Sequence, residues 1–206
     1  MEQLKVDFNK VIESLKLSEK SINSRKENFN QFVENGFPNK RVEDWKFSDL
    51  NQIISSNIEN LRFHTDFEIS EIDETTFIDK FAHNKIIFLN GVISKVDFSS
   101  EDDTKVLITR DLNQNENSKE VNSLVSLNNA LIASYIRVTV KENYSMNEPL
   151  IIYNITTKEL KSTAINLKTD ILLEKNSSLK LIDLFVDSSE NNFINIFQNF
   201  DIAQDA

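Results

Sequence analysis

The spacing of apolar residues changes once along the chain, near Lys85, and this change constrains the fold more than any other feature. Before it, apolar residues recur at helical intervals. Beyond it, apolar runs of strand length alternate with turn residues. The sequence therefore predicts an α+β chain, with a helical N-terminal region over residues 1–84 and a β-rich region over residues 85–206. The first helix is predicted from one apolar face, formed by Leu4, Phe8, Val11, Ile12 and Leu15.

Turn and cap residues indicate where the other helices begin and end. The second helix is predicted to end at Gly36, with Pro38 two residues later, a typical stop. Asp49 is placed to cap a short third helix. A further short helix is predicted around Phe77, Ile78 and Phe81, and another over residues 121–133.

Asn90 and Gly91 separate two apolar runs, residues 85–89 and 92–96. Such a pair predicts a β-hairpin, because both central residues of the tight turn need positive φ. Further strands are predicted over 106–108, 135–140, 150–153, 164–173, 179–186 and 193–202. Two linkers, 141–145 and 174–178, resemble each other, with charges followed by Asn and Ser. This pattern is compatible with a coiled stack of strands and also with a sandwich.

The overall charge argues against nucleic-acid and membrane partners. The chain has 23 basic and 33 acidic residues and a net charge of −10, which repels phosphate backbones and anionic lipid. The one dense basic stretch, Lys40 and Arg41 with Lys46 nearby, is interrupted by Glu43 and Asp44. Cysteine is absent, which excludes disulfides and thiolate ligands and fits a reducing compartment. We therefore expect a cytoplasmic protein.

Few residues qualify for catalysis or metal binding. His64 and His83 are the only histidines, and each is expected to have a structural role or to lie at the surface. Residues 101–103 form an acidic run that lacks the spaced ligands and glycine of a calcium loop. We expect this run to be solvated, within an exposed loop or a poorly ordered insertion over 99–119. The residues alone predict no catalytic, cofactor-binding or metal site.

Residues 36–50 concentrate unusual side chains, including the single tryptophan, Trp45. A helix stop followed by a turn and a packed tryptophan explains the segment, and we favour this structural interpretation over a binding site.

The same segment resembles the N-terminal signature of the SufD-type iron–sulfur cluster assembly proteins. The similar residues are Gly36, Phe37 and Pro38, then Arg41, Glu43, Trp45, Lys46, Phe47, Ser48 and Leu50. Four further matches follow in the order of that family. They are 88–91 (Phe-Leu-Asn-Gly), 127–130 (Leu-Asn-Asn-Ala), 148–150 (Glu-Pro-Leu) and 177–183 (Ser-Ser-Leu-Lys-Leu-Ile-Asp). Departures include Asp183, where the family commonly has Glu, and Ala133 and Ser134 in place of a turn glycine.

The resemblance implies a helical N-terminal region followed by the first rungs of a right-handed parallel β-helix, with the 206 residues forming the N-terminal half of such a protein. It implies a non-enzymatic scaffold subunit that works with a SufB-like subunit and a SufC-like ABC ATPase. Because the family's assembly and docking residues lie further along its chain, no site residue is transferred. The iron–sulfur cluster and ATP are expected only at the level of the complex, and the isolated chain is expected to bind no cluster.

Two other functions remain open from the sequence. A β-solenoid enzyme acting on acidic polysaccharide requires a row of acids on one face, for which Asp170, Asp183 and Asp201 are the candidates. A partner-binding module is the other, and the burial of Trp45 distinguishes it from a purely packed segment.

Overall fold

The computed structural model describes residues 2–63, 72, 76–114 and 122–206. Its N-terminal part is helical, with α1 (Glu2–Ser14), α2 (Glu19–Asn35) and α3 (Leu50–Asn57). Ser18 begins α2 by accepting a hydrogen bond from the Ser21 amide, and Asp49 begins α3 by accepting one from the Gln52 amide. Gly36 ends α2 at a φ of 67°. These three boundaries agree with the caps and the stop predicted from the sequence.

The strands begin at Asn84. The elements that follow are β1 (Asn84–Leu89), β2 (Val92–Asp97), α4 (Ser100–Lys105), β3 (Val106–Thr109), α5 (Ser123–Leu131), β4 (Ser134–Val140), β5 (Leu150–Thr156), β6 (Ala164–Leu173), β7 (Leu181–Asp187) and β8 (Phe193–Ile202). The predicted strands therefore exist, and the bounds of β6 and β8 agree with the prediction at both ends.

The strands form two separate four-stranded sheets, in the orders β2-β1-β5-β7 and β3-β4-β6-β8. Each sheet is mixed, because β2–β1 and β3–β4 pair antiparallel while the remaining neighbours pair parallel. The prediction of a right-handed parallel β-helix is therefore wrong: neither sheet closes or coils into a solenoid. The tight turn at Asn90 and Gly91 gives one physical reason, because two intervening residues suit antiparallel neighbours whereas a parallel pair needs a crossover.

The Asn90–Gly91 turn has the predicted geometry. Asn90 has a φ of 49° and Gly91 a φ of 86°, so both occupy the left-handed region that the tight turn requires. A Cβ on Gly91 would lie 2.7 Å from Cγ2 of Ile165 in β6. The glycine therefore serves both the turn and the close approach of the hairpin to the second sheet.

The main core lies between the two sheets. It contains Ile86 and Phe88 of β1, Ile152 of β5, and Ile136 and Val138 of β4 among its fully buried side chains. A second cluster joins the helices, where α1 and α2 pack against the buried face of α5. A third covers the opposite face of β1 and β5. Both central strands of the first sheet are thus buried on two faces, which explains their continuous apolar runs.

The two similar linkers lie directly against each other. Asn143 and Asn176 adopt φ values of 60° and 55°, and the Asn176 side chain donates to that of Asn143 at 2.8 Å. Ser145 and Ser178 form an isolated parallel bridge. The recurrence seen in the sequence thus corresponds to matched turns in two adjacent segments.

Two local predictions are wrong. The segment from Phe77 to Phe81 is not helical. The acidic run at 101–103 lies in α4 rather than in a loop, and although Glu101 and Asp103 are exposed as expected, Asp102 is completely buried. In the described part of the chain, no helix combines the length and the apolar character needed to cross a membrane.

Candidate functional site

The residues that resemble the SufD signature form a closed surface loop, residues 38–50, called here the signature loop. The Pro38 carbonyl accepts hydrogen bonds from the amides of Leu50 at 3.1 Å and Asn51 at 3.4 Å, which joins the two ends of the loop. Between them, a short 3₁₀ helix (Glu43–Trp45) is stabilised by the Trp45 amide donating to the Val42 carbonyl at 2.8 Å. Compact loops whose ends meet are common functional elements.

The signature loop exposes one large aromatic side chain. Phe47 is 89% exposed, the most exposed of the large hydrophobic side chains in the described residues, whereas Trp45 beside it is half-buried. Lys46 Nζ lies 2.9 Å from Glu43 Oε1 and 5.3 Å from the centre of the Phe47 ring. Lys40 and Arg41 form no ion pair with any described residue. The loop therefore presents to solvent an aromatic ring and two cations that have no ion-pair partner among the described residues.

An apolar groove begins at the base of this loop. The groove has a volume of about 300 Å³, lies between α3 and the start of β8, and is lined on its apolar side by Leu50, Ile53, Ile54, Ile58, Phe193 and Ile194. We call it the α3 groove. Three of its polar side chains already have hydrogen-bond partners: Asn57 donates to the Ile53 carbonyl, Asn192 bonds to Thr163 and Leu160, and Asp187 accepts from Thr156 and Ser189. The groove therefore offers mainly apolar contact.

His83 lies at a second opening, a cleft of about 450 Å³ whose walls include Lys85, Asp97 and Glu148. Its Nδ1 is 2.9 Å from the Phe81 carbonyl and its Nε2 is 2.8 Å from the Tyr153 hydroxyl. Because a carbonyl only accepts, Nδ1 donates and Nε2 accepts from Tyr153. Both ring nitrogens thus take part in structural contacts. His64, the other histidine singled out from the sequence, lies outside the described residues.

Asp102 is the central residue of a buried hydrogen-bond network that sequence reasoning missed. Its carboxylate accepts from the side chains of Asn84, Ser99 and Tyr144 at 2.8, 3.0 and 2.8 Å, and from two backbone amides, those of Asn147 and Glu148. The available signal was Ser99, which lies three residues before Asp102 in the arrangement of a helix cap.

The network shifts the ionisation of its members. Burial alone would raise the pKa of Asp102, but the hydrogen bonds from Asn84, Tyr144 and Ser99 outweigh it and hold that pKa below its usual value. Burial and the adjacent Asp102 carboxylate raise the pKa of Tyr144 to about 12. Asp102 is therefore a charged structural acceptor at neutral pH.

The three acids considered for polysaccharide chemistry do not form a row. Asp170 lies on β6, Asp183 on β7 in the other sheet, and Asp201 on the exposed part of β8. Asp170 is buried and accepts hydrogen bonds from Tyr135 at 2.6 Å and Arg137 at 3.1 Å. Burial and the Asp170 carboxylate raise the pKa of Tyr135. Asp170 and Asp201 thus lie on neighbouring strands of the second sheet, whereas Asp183 lies in the first, and Asp170 is already held by Tyr135 and Arg137.

Within the described ranges, no three His, Cys, Asp or Glu side chains are grouped so as to hold a metal ion. Neither a protein-family model nor a curated protein matches the chain. The function proposed below therefore rests on the contacts of this chain and on the resemblance of its motifs.

Proposed function

We propose that the chain is a non-enzymatic scaffold subunit similar to SufD, which supports iron–sulfur cluster assembly together with a SufB-like subunit and a SufC-like ABC ATPase. The observation that carries the proposal is the position of the matching motifs in the fold. Three of them lie at junctions between elements, where Gly36 ends α2, Asn90 and Gly91 turn the hairpin, and Pro149 precedes β5, while the Leu-Asn-Asn-Ala motif lies within α5.

The buried Asn128 of the Leu-Asn-Asn-Ala motif illustrates this structural use. Its side-chain amide donates 2.8 Å hydrogen bonds to the carbonyls of Leu167 in β6 and Asn195 in β8. The motif thus attaches α5 to two strands of the second sheet. The residues that resemble the family motifs hold helices and sheets together. This structural use supports a scaffold role more than a catalytic one.

The polar groups that could take part in chemistry also support this proposal. Both nitrogens of His83 and both oxygens of Asp102 have hydrogen-bond partners within the chain. These contacts give both groups a structural role, which is compatible with a non-enzymatic subunit. The cluster under assembly is cargo of the complex, ATP is hydrolysed by the SufC-like ATPase, and the complex works in the cytoplasm without nucleic-acid or membrane partners.

Co-purification with the two partner subunits tests the proposal. The tagged full-length gene product is expressed together with the SufB-like and SufC-like proteins of the same genome, and we expect one complex containing all three by size-exclusion chromatography. The isolated chain, treated anaerobically with ferrous iron and sulfide, is expected to give no stoichiometric visible chromophore. Failure of both partners to co-elute, with all three proteins folded, would overturn the scaffold role.

A partner-binding module outside iron–sulfur assembly is the second candidate. The observation in its favour is Phe47, an exposed aromatic side chain on a hydrogen-bonded loop. It is distinguished from the first candidate by the same experiment, because it predicts a folded chain that binds neither the SufB-like nor the SufC-like protein.

A further inference from the structure

We infer that Asn35 is a site of spontaneous deamidation in the folded protein, and that contacts of the Asn90 side chain block the same reaction there. The chain contains two glycines, Gly36 and Gly91, and each directly follows an asparagine. An Asn-Gly pair favours deamidation, because glycine has no side chain to hinder attack by its own backbone nitrogen. The inference is independent of the proposed function.

The reaction consumes nothing except water. The backbone nitrogen of Gly36 gives up its proton and attacks Cγ of Asn35. A nitrogen–carbon bond forms, the bond from Cγ to Nδ2 breaks, and ammonia leaves. Water then opens one of the two carbon–nitrogen bonds of the resulting cyclic imide. Breaking the new bond to Cγ gives aspartate, whereas breaking the original peptide bond gives isoaspartate, in which the main chain runs through the side chain.

Asn35 is held only by the final turn of its own helix. It is the last residue of α2 and is exposed. Its Nδ2 donates to the Gln31 carbonyl at 2.8 Å, and the Gly36 amide donates to the Phe32 carbonyl at 2.7 Å. Helix ends fray, and such local openings require much less free energy than global unfolding. Opening this one turn therefore releases both the leaving amide and the attacking nitrogen.

Asn90 is held by a distant part of the chain. Its side chain is buried, its Nδ2 donates to Thr157 Oγ1 at 3.0 Å, and its Oδ1 accepts from the Thr157 amide at 2.9 Å. The Asn90 amide also donates to the Ile155 carbonyl at 2.8 Å. Freeing this side chain requires the hairpin to separate from the end of β5, which is a larger opening than the fraying of a helix end.

The space beside the two glycines differs in the same direction. A Cβ on Gly36 would have no atom within 4 Å, whereas a Cβ on Gly91 would lie 2.7 Å from Cγ2 of Ile165. The cyclic imide includes the glycine nitrogen and changes the course of the backbone there, so it needs room. That room exists at Gly36, while Gly91 is packed against the second sheet.

Deamidation of Asn35 changes the junction between α2 and the signature loop. A new carboxylate at the C-terminal end of the helix interacts unfavourably with the helix dipole. Isoaspartate also inserts a methylene group into the main chain two residues before Phe37. The Phe37 ring packs against Phe32 and Phe193, with centroid distances of 5.1 and 5.4 Å. The modification therefore loosens the packing of this junction against β8.

Peptide mapping by mass spectrometry tests the inference. The purified protein is incubated at mildly alkaline pH, both folded in buffer and unfolded in guanidinium chloride. Each site is followed by the mass increase that accompanies exchange of its NH2 group for OH. The two sites should react at comparable rates in guanidinium, where tertiary contacts are absent. When each folded-state rate is divided by the rate of the same site in guanidinium, Asn90 should be about tenfold or more slower than Asn35.

Thr157→Ala provides a second measurement within one molecule. It removes the acceptor of Asn90 Nδ2, so the Asn90 rate should rise about threefold or more. Asn35 is the internal control, and its rate should stay within about twofold of the wild-type rate. Circular dichroism checks that the variant is folded.

Two sets of results would overturn the inference. If Asn35 stays intact in the folded protein over a period in which it reacts completely in guanidinium, Asn35 is not a deamidation site. If Asn90 reacts as fast as Asn35 in the folded protein, or if Thr157→Ala leaves its rate unchanged, the contacts with Thr157 do not protect it.

Discussion

The side-chain amide of Asn84 donates a 2.8 Å hydrogen bond to the Asp102 carboxylate, and the Asn84 carbonyl oxygen accepts a hydrogen bond of the same length from the Ser99 amide. This reciprocal contact joins the first residue of β1 to the start of α4. Tyr144 reaches the same carboxylate from the linker after β4. One buried charge thus connects both sheets to the short helix between them.

Replacing Asp102 by asparagine is expected to destabilise the protein by about 2 kcal/mol or more. The change keeps the shape but puts a donor group among donors, so at least one buried donor loses its acceptor. Urea unfolding followed by far-ultraviolet circular dichroism measures the effect. Asp103→Asn is the matched control, because Asp103 is the exposed neighbour on the same helix, and it should change the free energy of unfolding by less than about 0.5 kcal/mol. Equal effects from both variants contradict the structural role of Asp102.

Stability is expected to fall in acid because of Asp7 and Asp102. Burial alone would raise the pKa of Asp7, but hydrogen bonds from Arg62, Phe63 and Gln3 outweigh it and hold that pKa below its usual value. The pKa of Asp102 is lowered in the same way by its own hydrogen-bond donors. The unfolded chain therefore binds protons at a higher pH than the folded chain does. The stabilisation is fully present above the ordinary aspartate pKa of about 4 and is lost as pH falls below it.

Urea unfolding at a series of pH values from 7 to 3 checks this prediction. The wild-type free energy of unfolding should decrease most steeply below about pH 4. The double variant Asp7→Asn/Asp102→Asn should be less stable at pH 7 and show a shallower decrease in acid, while Asp103→Asn keeps the wild-type slope. An unchanged slope in the double variant argues against these two carboxylates as the source.

Local sequence patterns predicted the elements well because the signals were local. Asp49 caps α3, Gly36 ends α2 and the Asn90–Gly91 pair turns the hairpin, each through its own backbone geometry. The pairing of strands depends on contacts between residues far apart in the chain, such as Ile86 with Ile152, and periodicity alone does not contain that information. The division into two mixed sheets was therefore not predictable from the spacing, and the β-helix expectation was wrong.

The candidate site shows the same division between local and distant signals. The segment around Trp45 was singled out by its composition, but that did not indicate that Phe47 rather than Trp45 is the exposed ring. Three consecutive acidic residues at 101–103 indicated a solvated run. The donors that bind Asp102 lie far away in the sequence, because Asn84 comes from β1 and Tyr144 from the linker after β4. The burial of such a carboxylate becomes evident only in the folded structure, where donors from distant parts of the sequence surround it.

Alanine substitutions at the two glycines separate two sources of destabilisation, backbone strain and a steric clash. Both have positive φ, but a Cβ on Gly91 meets Ile165 at 2.7 Å whereas a Cβ on Gly36 has no atom within 4 Å. Gly36 combines a φ of 67° with a ψ of −167°, a conformation essentially confined to glycine, so Gly36→Ala should cost about 1–3 kcal/mol from backbone strain alone. Gly91→Ala adds the clash with the second sheet and should cost about 2–4 kcal/mol in total. Urea unfolding of both variants measures the two costs, and a cost below about 1 kcal/mol for Gly91→Ala contradicts the close approach of Gly91 to Ile165.

Two adjacent asparagines in α5 provide the most direct test of how the helix is attached to the second sheet. Asn128 and Asn129 are both fully buried, but the Asn128 amide nitrogen donates to two strand carbonyls while the Asn129 side chain makes no hydrogen bond within the described residues. Leucine at position 128 leaves the carbonyls of Leu167 and Asn195 without this donor and should destabilise the protein by about 2 kcal/mol.

The same substitution at position 129 removes a buried amide that has no partner, so it should be neutral or stabilise the protein by about 1 kcal/mol. The midpoint of urea unfolding should consequently fall for Asn128→Leu. For Asn129→Leu the midpoint should rise or stay unchanged. Because both positions receive the same side chain on the same helix, helix propensity and added volume are closely matched. A comparable loss at both positions would mean that packing space around α5, and not the two hydrogen bonds of Asn128, determines its attachment.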